Sequence, residues 1–404
     1  MALAKTIRIV ATSDNHLGQY VARLPSRTLE QWREHLRRAF GEVVDAAIRG
    51  GAHLMIVAGD LFDSPTPRNA ERVYLARCLA ELQQRGIVVV AIGGNHDTPR
   101  STLEEGGALA LRVYAELGAL AFLDNLDDDL VVRPRTFLID SWQVAVGGFT
   151  PRLNLPEEVD PLEGVSFAKT SADLRVLVIH GSVEGTLPPA VTQSIIRRET
   201  IARLSGLVDL VVVGDVHRAN TFTCGDVVVV IPGATERLTF FDTYAPGYAW
   251  IEAGPEGIKV RHERLRTQPR VFVNLPADEL DPENPTDSIV TRISKSANPD
   301  ALARFVIKGV LPREVYRRLN PVVVEERGRQ AFFSFELDLT CLKVRLDRAP
   351  EIVWTPRRTL ADEVRAVVEW YRESTDDPDE RAILDDTRKQ ILDALANEGE
   401  EISR

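Results

Sequence analysis

The sequence predicts an α/β core of two packed sheets, followed by a small α+β region and terminal helices. Two patterns carry this expectation. From residue 6 to about 118, short apolar strands alternate with helix-spaced segments, as in a mainly parallel sheet with helical crossovers. From about 137 to 265 strands dominate, which favours two packed sheets over one.

Residues 6–12 read as a short apolar strand. Over 27–49, Leu29, Trp32, Leu36, Phe40, Val43, Val44 and Ala47 recur at helix spacing, and Gly51 lies just beyond. Residues 53–60 (HLMIVAGD) and 87–94 (IVVVAIGG) are strands, with helices at 69–85 and about 102–118. FLID (137–140) and QVAVGGF (143–149) make a hairpin. LRVLVIHG (174–181) and LVVVGD (210–215) are strands separated by a helix at about 192–206. TFTC and VVVVI flank Gly225 and Asp226, a good hairpin turn, and 248–253 pairs with 258–265.

The character shifts at about 267, where a polar stretch rich in Asp and Pro (DELDPENPTDS) reads as an exposed loop. Strand-like segments follow at 288–294, 303–309, 330–338 and 342–348, with a short helix at 312–318. APEIVWTPRRTL reads as a linker, before helices at about 359–374 and 378–397. The expected divisions are therefore 1–266, 267–350 and 351–404.

The formal charge is −11, from 49 basic and 60 acidic residues. That argues against a surface coated for nucleic acid but leaves room for a local basic groove. No run of 18 apolar residues suggests a membrane span, and MALAKTIRIV leads into a strand without the pattern of a signal peptide. Cys78, Cys224 and Cys341 form neither a disulfide framework nor a zinc-knuckle spacing. A cytoplasmic location is the expectation.

The unusual residues stand at the carboxyl ends of the predicted strands, where α/β sheets tend to bind ligands. They are Asp14 and His16, Asp60 and Asp63, Asn95, His96 and Asp97, His180, and Asp215 with His217. One such residue in a turn is usually solvated or a cap, and His35, His53 and His262 fit that reading. Five separate motifs at strand ends point instead to metal. So many ligands imply two ions about 3.5–4 Å apart sharing a carboxylate, for which Asp60 is the natural bridge. Mixed nitrogen and oxygen donors favour manganese, iron, zinc or magnesium. Such a pair suits phosphoester hydrolysis, because it acidifies a water and neutralises phosphoryl charge. His96 follows Asn95, so its ring points away from that ion and is free to act as general acid or to stabilise the phosphoryl charge. Asp97 is expected to orient a histidine or to cap the following helix.

These motifs resemble the calcineurin-like metallophosphoesterase superfamily. DNH (14–16), GDLFD (59–63), GNHD (94–97), HG (180–181) and GDVH (214–217) stand in that family's order, across about 1–260. A narrower resemblance is to the SbcD-type DNA repair nuclease subunit of the SbcCD complex. It rests on SDNHLG, GDLFDSPTP, and IPGATERLTF at 231–240. The resemblance implies a four-layer α/β/β/α core, a small α+β domain capping the site over 267–350, and C-terminal helices that dock on a coiled-coil ATPase of SbcC type. It assigns Asp14, His16, Asp60 and His217 to one metal. It assigns Asp60, Asn95, His180 and residue 215 to the other, with Asp63 and Asp97 behind the ligands and His96 as the catalytic histidine. It further implies a preference for Mn2+, a homodimer through helices at 69–85 and 100–118, 3′-to-5′ exonuclease and endonuclease activity on DNA, and a bacterial, nucleoid-associated enzyme.

The departure is at Asp215, where the family has histidine. A carboxylate still suits Mn2+ or Mg2+, so the second ion could bind with shifted preference, bind weakly, or be lost. Candidate phosphate contacts are Arg261, Arg264 and Arg266, and Arg317 and Arg318, in clusters that also include His262, Arg270, Arg313, Arg327 and Arg329. Competing functions are hydrolysis of a small phosphomonoester or cyclic nucleotide, and a weakly catalytic DNA-binding scaffold.

Overall fold

The computed structural model describes residues 6–22, 24–101, 107–152, 155–186, 194–240, 242–345 and 360–401. In chain order these form β1 (Ile7–Thr12), α1 (Ser26–Gly50), β2 (Leu54–Ala58), α2 (Asn69–Gln84), β3 (Val88–Ile92), α3 (Ala110–Glu116), β4 (Ala121–Phe122), β5 (Val131–Val132), β6 (Arg135–Ile139) and β7 (Trp142–Gly148). Next come β8 (Ser166–Phe167), β9 (Leu174–His180), β10 (Ser182–Val183), β11 (Ile195–Ile196), α4 (Arg198–Ala202), β12 (Leu210–Gly214), β13 (Asn220–Cys224), β14 (Val227–Ile231), β15 (Gly247–Gly254) and β16 (Gly257–Arg264). The remainder is β17 (Arg270–Pro276), α5 (Pro285–Ser296), β18 (Asn298–Pro312), α6 (Arg313–Arg318), α7 (Pro321–Ala331), β19 (Phe332–Asp338), β20 (Leu342–Arg345), α8 (Leu360–Glu373) and α9 (Pro378–Glu401).

The core strands are apolar throughout because both of their faces are covered. In β1, β2 and β3, Val10, Met55, Val57, Val89 and Ala91 pack under α1, α2 and α3. Their neighbours Ile9, Ala11, Leu54, Ile56, Val90 and Ile92 face the second sheet, against Val144, Val176, Val178, Leu210 and Val212. On the far side of that sheet, Leu177, Ile179, Val211 and Val213 pack with Ile201 and Leu204. The layers are therefore helix, sheet, sheet, helix, the last represented by the short α4 and adjoining loops. Strand order is β16-β15-β1-β2-β3-β4 in one sheet and β13-β14-β12-β9-β7-β6 in the other. The central strands β1, β2 and β3, and β14, β12, β9 and β7, are parallel, so their carboxyl ends lie together.

Helix α1 buries Leu29, Trp32, Leu36, Phe40, Val43, Val44 and Ala47 as its spacing predicts, and Gly51 closes it in the left-handed conformation. Other expectations need correction. The segment 288–294 lies within helix α5, because Ile289 and Ile293, four apart, are the buried pair. Residues 330–331 end α7, a helix with Pro321 at its first position that propensity does not suggest. The helix expected over 192–206 is reduced to β11 and the five-residue α4, with 192–193 outside the described residues. The helix expected at about 102–118 is the seven-residue α3, and 102–106 lie outside them too, as does 346–359, which holds nearly all of the expected linker.

The chain divides into two compact units: Met1–Val273 with Ile293–Phe305 and Glu325–Glu336, and Asn274–Arg292 with Val306–Val324 and Leu337–Arg404. Phe305, Phe332 and Phe335 form an aromatic cluster within the first unit. In the second, β18 pairs in parallel with β20 at 309–312 and 342–345, and α8 packs along α9. Among the described residues no helix is long and apolar enough to cross a membrane.

Candidate metal centre

The loops after β1 and β2 are laced together beyond the sheet. The Asp14 N–H donates to the Gly59 carbonyl (3.2 Å), and those of Asn15 and His16 both donate to the Asp60 carbonyl (2.9 and 3.0 Å). The Leu17 N–H donates to Leu61 (2.9 Å). This lacing holds Asp14, His16 and Asp60 in left-handed backbone, with φ of 50°, 46° and 50°, and Asp215 is left-handed as well at 83°. Such conformations cost on the order of 1–3 kcal/mol each outside glycine, although Asp and His tolerate them better than most. Their concentration at one edge marks the site.

Donor atoms converge in two adjoining sets. One atom each from Asp14, His16 and His217 lie within 4.8 Å of one another, and so do atoms from Asp14, Asp60 and His180. The His16 Nδ1 donates to Asp63 (3.0 Å), which leaves its Nε2 turned inward, buried, and without a hydrogen-bond partner. The His180 Nδ1 donates to the Ala58 carbonyl (2.8 Å). Its Nε2 then looks onto three oxygens: Asn95 Oδ1 at 2.9 Å, Asp60 Oδ2 at 3.4 Å and Asp215 Oδ1 at 3.9 Å. A buried ring nitrogen surrounded by oxygens, beside an orphaned buried ring nitrogen, is an arrangement that divalent cations take up, and in their place a proton on His180 answers the same oxygens. His217 Nε2 lies 3.9 Å from Asp14. His96 stands at the rim, 48% exposed, its ring edge-on to His16 at 4.7 Å between centroids. Its main-chain N–H donates to Asp60 Oδ1 (2.8 Å).

The electrostatics follow from crowding acids and imidazoles in a dry place. Burial raises the Asp14 pKa. Burial acts the same way on Asp60, but His180 and His16, with the His96 N–H, hold it well below the usual carboxylate range. For His180, burial opposes the charge, yet Asp60, Asp14 and Asp215 together raise its pKa to about 10. Charged His180 therefore stabilises the metal-free fold fully below its ordinary value near 6.5, and this contribution fades as the pH rises to about 10. Chelator-treated protein is expected to lose melting temperature across that window, and His180→Gln is expected to lack this loss. Thermal melts of both proteins at several pH values check it; parallel profiles would refute the assignment.

Several supports lie outside the motifs. Ser182 Oγ donates to Asp215 Oδ2 (2.6 Å). Tyr244 Oη lies 3.3 Å from the His217 Nδ1 and also contacts Asp242 and the Glu236 carbonyl. Sequence reasoning missed both, and only the position of Ser182, two residues after His180, hints at its role. The 231–240 segment proves to be a brace: Ser13 bridges to Ala234, the Ala234 N–H donates to the His217 carbonyl, and Asn15 Nδ2 donates to Thr235 Oγ1. Within it, buried Glu236 pairs with His35. Asp97 accepts the N–H groups of Leu61 (3.1 Å) and Gly94 (2.6 Å), so it ties two loops together rather than orienting a histidine or capping a helix. Burial and the charge of Asp60 raise its pKa to about 7. The approach is so close that a Cβ on Gly94 would sit 2.1 Å from Asp60 Oδ1, and one on Gly214 would sit 1.9 Å from the Ala58 carbonyl oxygen.

The expected arginines divide. Arg264 lines a cavity of about 300 Å³ with Arg218, His262, Tyr248 and Tyr244, the tyrosine beside His217. Arg261 and Arg266 are exposed. Arg317 is paired with Glu380 and Arg318 with Glu283 (2.9 Å), both within the second unit. Arg270 is turned inward onto the carbonyls of Thr239 and Arg237 and over the Phe240 ring, so it offers no free charge to a ligand.

Comparison with known proteins places this geometry. Residues 7–219, just over half of the chain, match the family model described as calcineurin-like phosphoesterase. Two similar curated proteins are both named DNA double-strand break repair protein Mre11. The one from Haloferax volcanii is 26% identical over 303 residues, 75% of this chain and 61% of that protein. The one from Halobacterium salinarum is 27% identical over 317 residues, 77% of this chain and 74% of that protein. The chain thus spans about three-fifths of the length of the first of these relatives. Strand-end motifs, converging donors and the match over 7–219 agree: the chain belongs to the calcineurin-like phosphoesterase family.

Proposed function

We propose that this chain is a dinuclear, manganese-dependent DNA nuclease that works at DNA ends as a 3′-to-5′ exonuclease and as an endonuclease, within a double-strand-break processing complex. The observation that carries the reading is the His180 Nε2 facing the oxygens of Asn95, Asp60 and Asp215, with the orphaned His16 Nε2 beside it. The names of its relatives support the choice of DNA as substrate.

In this reading Asp14, His16, Asp60 and His217 hold one ion, and Asp60, Asn95, His180 and Asp215 hold the other. Bound there, two divalent ions supply positive charge to the phosphoryl oxygens and acidify a water. The protein does the rest. Asp63 accepts the proton on His16 Nδ1 and so fixes the tautomer, and Tyr244 steadies His217. The half-exposed His96 is anchored by its main chain to Asp60, which leaves its imidazole free to give a proton to the departing oxygen. Arg264 and Arg218 line one cavity with Tyr244, which supports a role for them in holding a backbone phosphate.

Exposed apolar positions support the partners in this reading. Val73 on α2 with Val113 and Leu117 by α3 support a homodimer through those helices, and Leu360, Ile383 and Ile391 on α8 and α9 support docking on a coiled-coil ATPase. We assign catalysis to 1–266, capping to 267–350 and ATPase docking to 351–404.

The test is to incubate the protein and Mn2+ with labelled duplexes of different ends, alongside an aryl phosphodiester. Shortening of DNA from its 3′ ends is the expected result. Hydrolysis of the small ester alone would sink the nuclease reading in favour of a small-molecule phosphoesterase.

A further inference from the structure

Asp215 and Ser182 form a unit that the metal assignment above does not explain. Asp215 does two jobs with two parts of one residue. Its main-chain N–H donates to both carboxylate oxygens of Asp14, at 3.1 and 3.2 Å, so its backbone buttresses the first donor set. Its left-handed φ of 83° swings the side chain toward the second. There Ser182, itself buried, donates its hydroxyl to Oδ2 at 2.6 Å. The other oxygen, Oδ1, faces the His180 Nε2. His180 and Ser182 belong to the same short segment, so one stretch of chain supplies both a nitrogen donor and the group that aims the carboxylate.

This arrangement makes the two donor sets chemically unequal. In the dinuclear reading above, the ligands assigned to the first ion, Asp14, His16, Asp60 and His217, offer two carboxylates and two imidazoles. Those assigned there to the second, Asp60, Asn95, His180 and Asp215, offer three oxygen donors and a single imidazole. Imidazoles suit zinc and other late transition ions, whereas carboxylate and carbonyl oxygens suit magnesium and manganese. A histidine at 215 would restore the balance.

We propose that Asp215, aimed by Ser182, is a specificity-determining residue that makes the second ion position the harder-donor site of the two, one that holds manganese against zinc better than the first position does. The inference rests on the dinuclear reading above. Ser182 is a positioning residue: its hydroxyl holds Oδ2 and so keeps Oδ1 turned toward the His180 Nε2.

The test reads metal binding rather than turnover. Chelator-treated full-length protein is loaded with Mn2+, bound and free manganese are followed by electron paramagnetic resonance, and Zn2+ is then titrated in. Wild type is expected to hold two manganese ions and to release one to stoichiometric zinc while keeping the other. Asp215→His is expected to release both at the same zinc concentration. Ser182→Ala is expected to bind the second manganese about 10-fold more weakly, the usual scale for losing a group that orients a ligand, with the first unaffected. If wild type holds two manganese ions and surrenders both as readily as Asp215→His, the selectivity proposal fails and the dinuclear reading stands. Unchanged second-ion affinity in Ser182→Ala would likewise overturn the positioning role. A wild type that binds fewer than two ions would overturn both readings together.

Discussion

Replacing His96 with alanine is expected to lower DNA cleavage by about 10²–10⁴-fold, the range for losing a general acid, while both ions still bind. The structure gives the reason for separating the two effects. The contact from His96 to Asp60 is made by the main-chain N–H, which alanine keeps. Its ring contributes exposure and reach: it is half-exposed, edge-on to His16, and 3.9 Å from Asp63 Oδ1. His16, Asp63 and His96 could also be read as a third donor cluster. Asp63 is already engaged by the His16 Nδ1 at 3.0 Å, however, whereas the His96 ring stays 3.9 Å from it, which favours the catalytic role over a ligand role. Cleavage assays with manganese counting on the same sample decide between these. A variant that loses an ion would make His96 a ligand, and one that cuts normally would remove it from the mechanism.

Gly214→Ala is expected to damage fold and centre together. A Cβ there would lie 1.9 Å from the Ala58 carbonyl oxygen and 2.5 Å from the His180 Nδ1, inside the hydrogen bond that those two groups make. Gly214 also sits opposite His180 in the sheet register, facing the Ala58 carbonyl at the end of β2 in the other sheet. Forcing a methyl group into so tight a place costs about 1–3 kcal/mol. The ring of His180 must then turn or retreat, and the loss of that orienting bond is expected to weaken metal binding by about 10–100-fold. Calorimetric melting of the metal-free protein and manganese titration measure the two effects. Unaltered values in both would mean that the sheets have room to part at this point.

The core strands are legible in the sequence because burial on both faces leaves them apolar without interruption, and α1 because its apolar residues keep a helical period from Leu29 to Ala47. The candidate ligands are legible because each follows such a strand. What fails is local propensity in the later part of the chain. Ile289, Val290 and Thr291 are β-branched and read as strand, but burial of Ile289 and Ile293 on one side decides for helix. Val322, Val323 and Val324, also β-branched, give no helical signal at the start of α7. The supports of the site are hidden for a different reason. Ser182 meets Asp215 across 33 residues and Tyr244 meets His217 across 27, and no spacing rule relates side chains brought together only by the packing of strand ends. Arg317 and Arg318 show the converse. They look like free cations in the sequence, and their acidic partners become visible only in the folded second unit.

The donors of the centre are scattered from residue 14 to residue 217, and β1, which carries the first of them, completes its pairing only with β15 at 247–254. Contacts of such long sequence separation form late and slowly. A chain emerging during synthesis therefore exposes Asp14 and Asp60 long before His180 and His217 exist to answer them. Until both sheets have closed, the acids have no partners that could grip an ion in a productive geometry. The full donor set therefore exists only in the finished core.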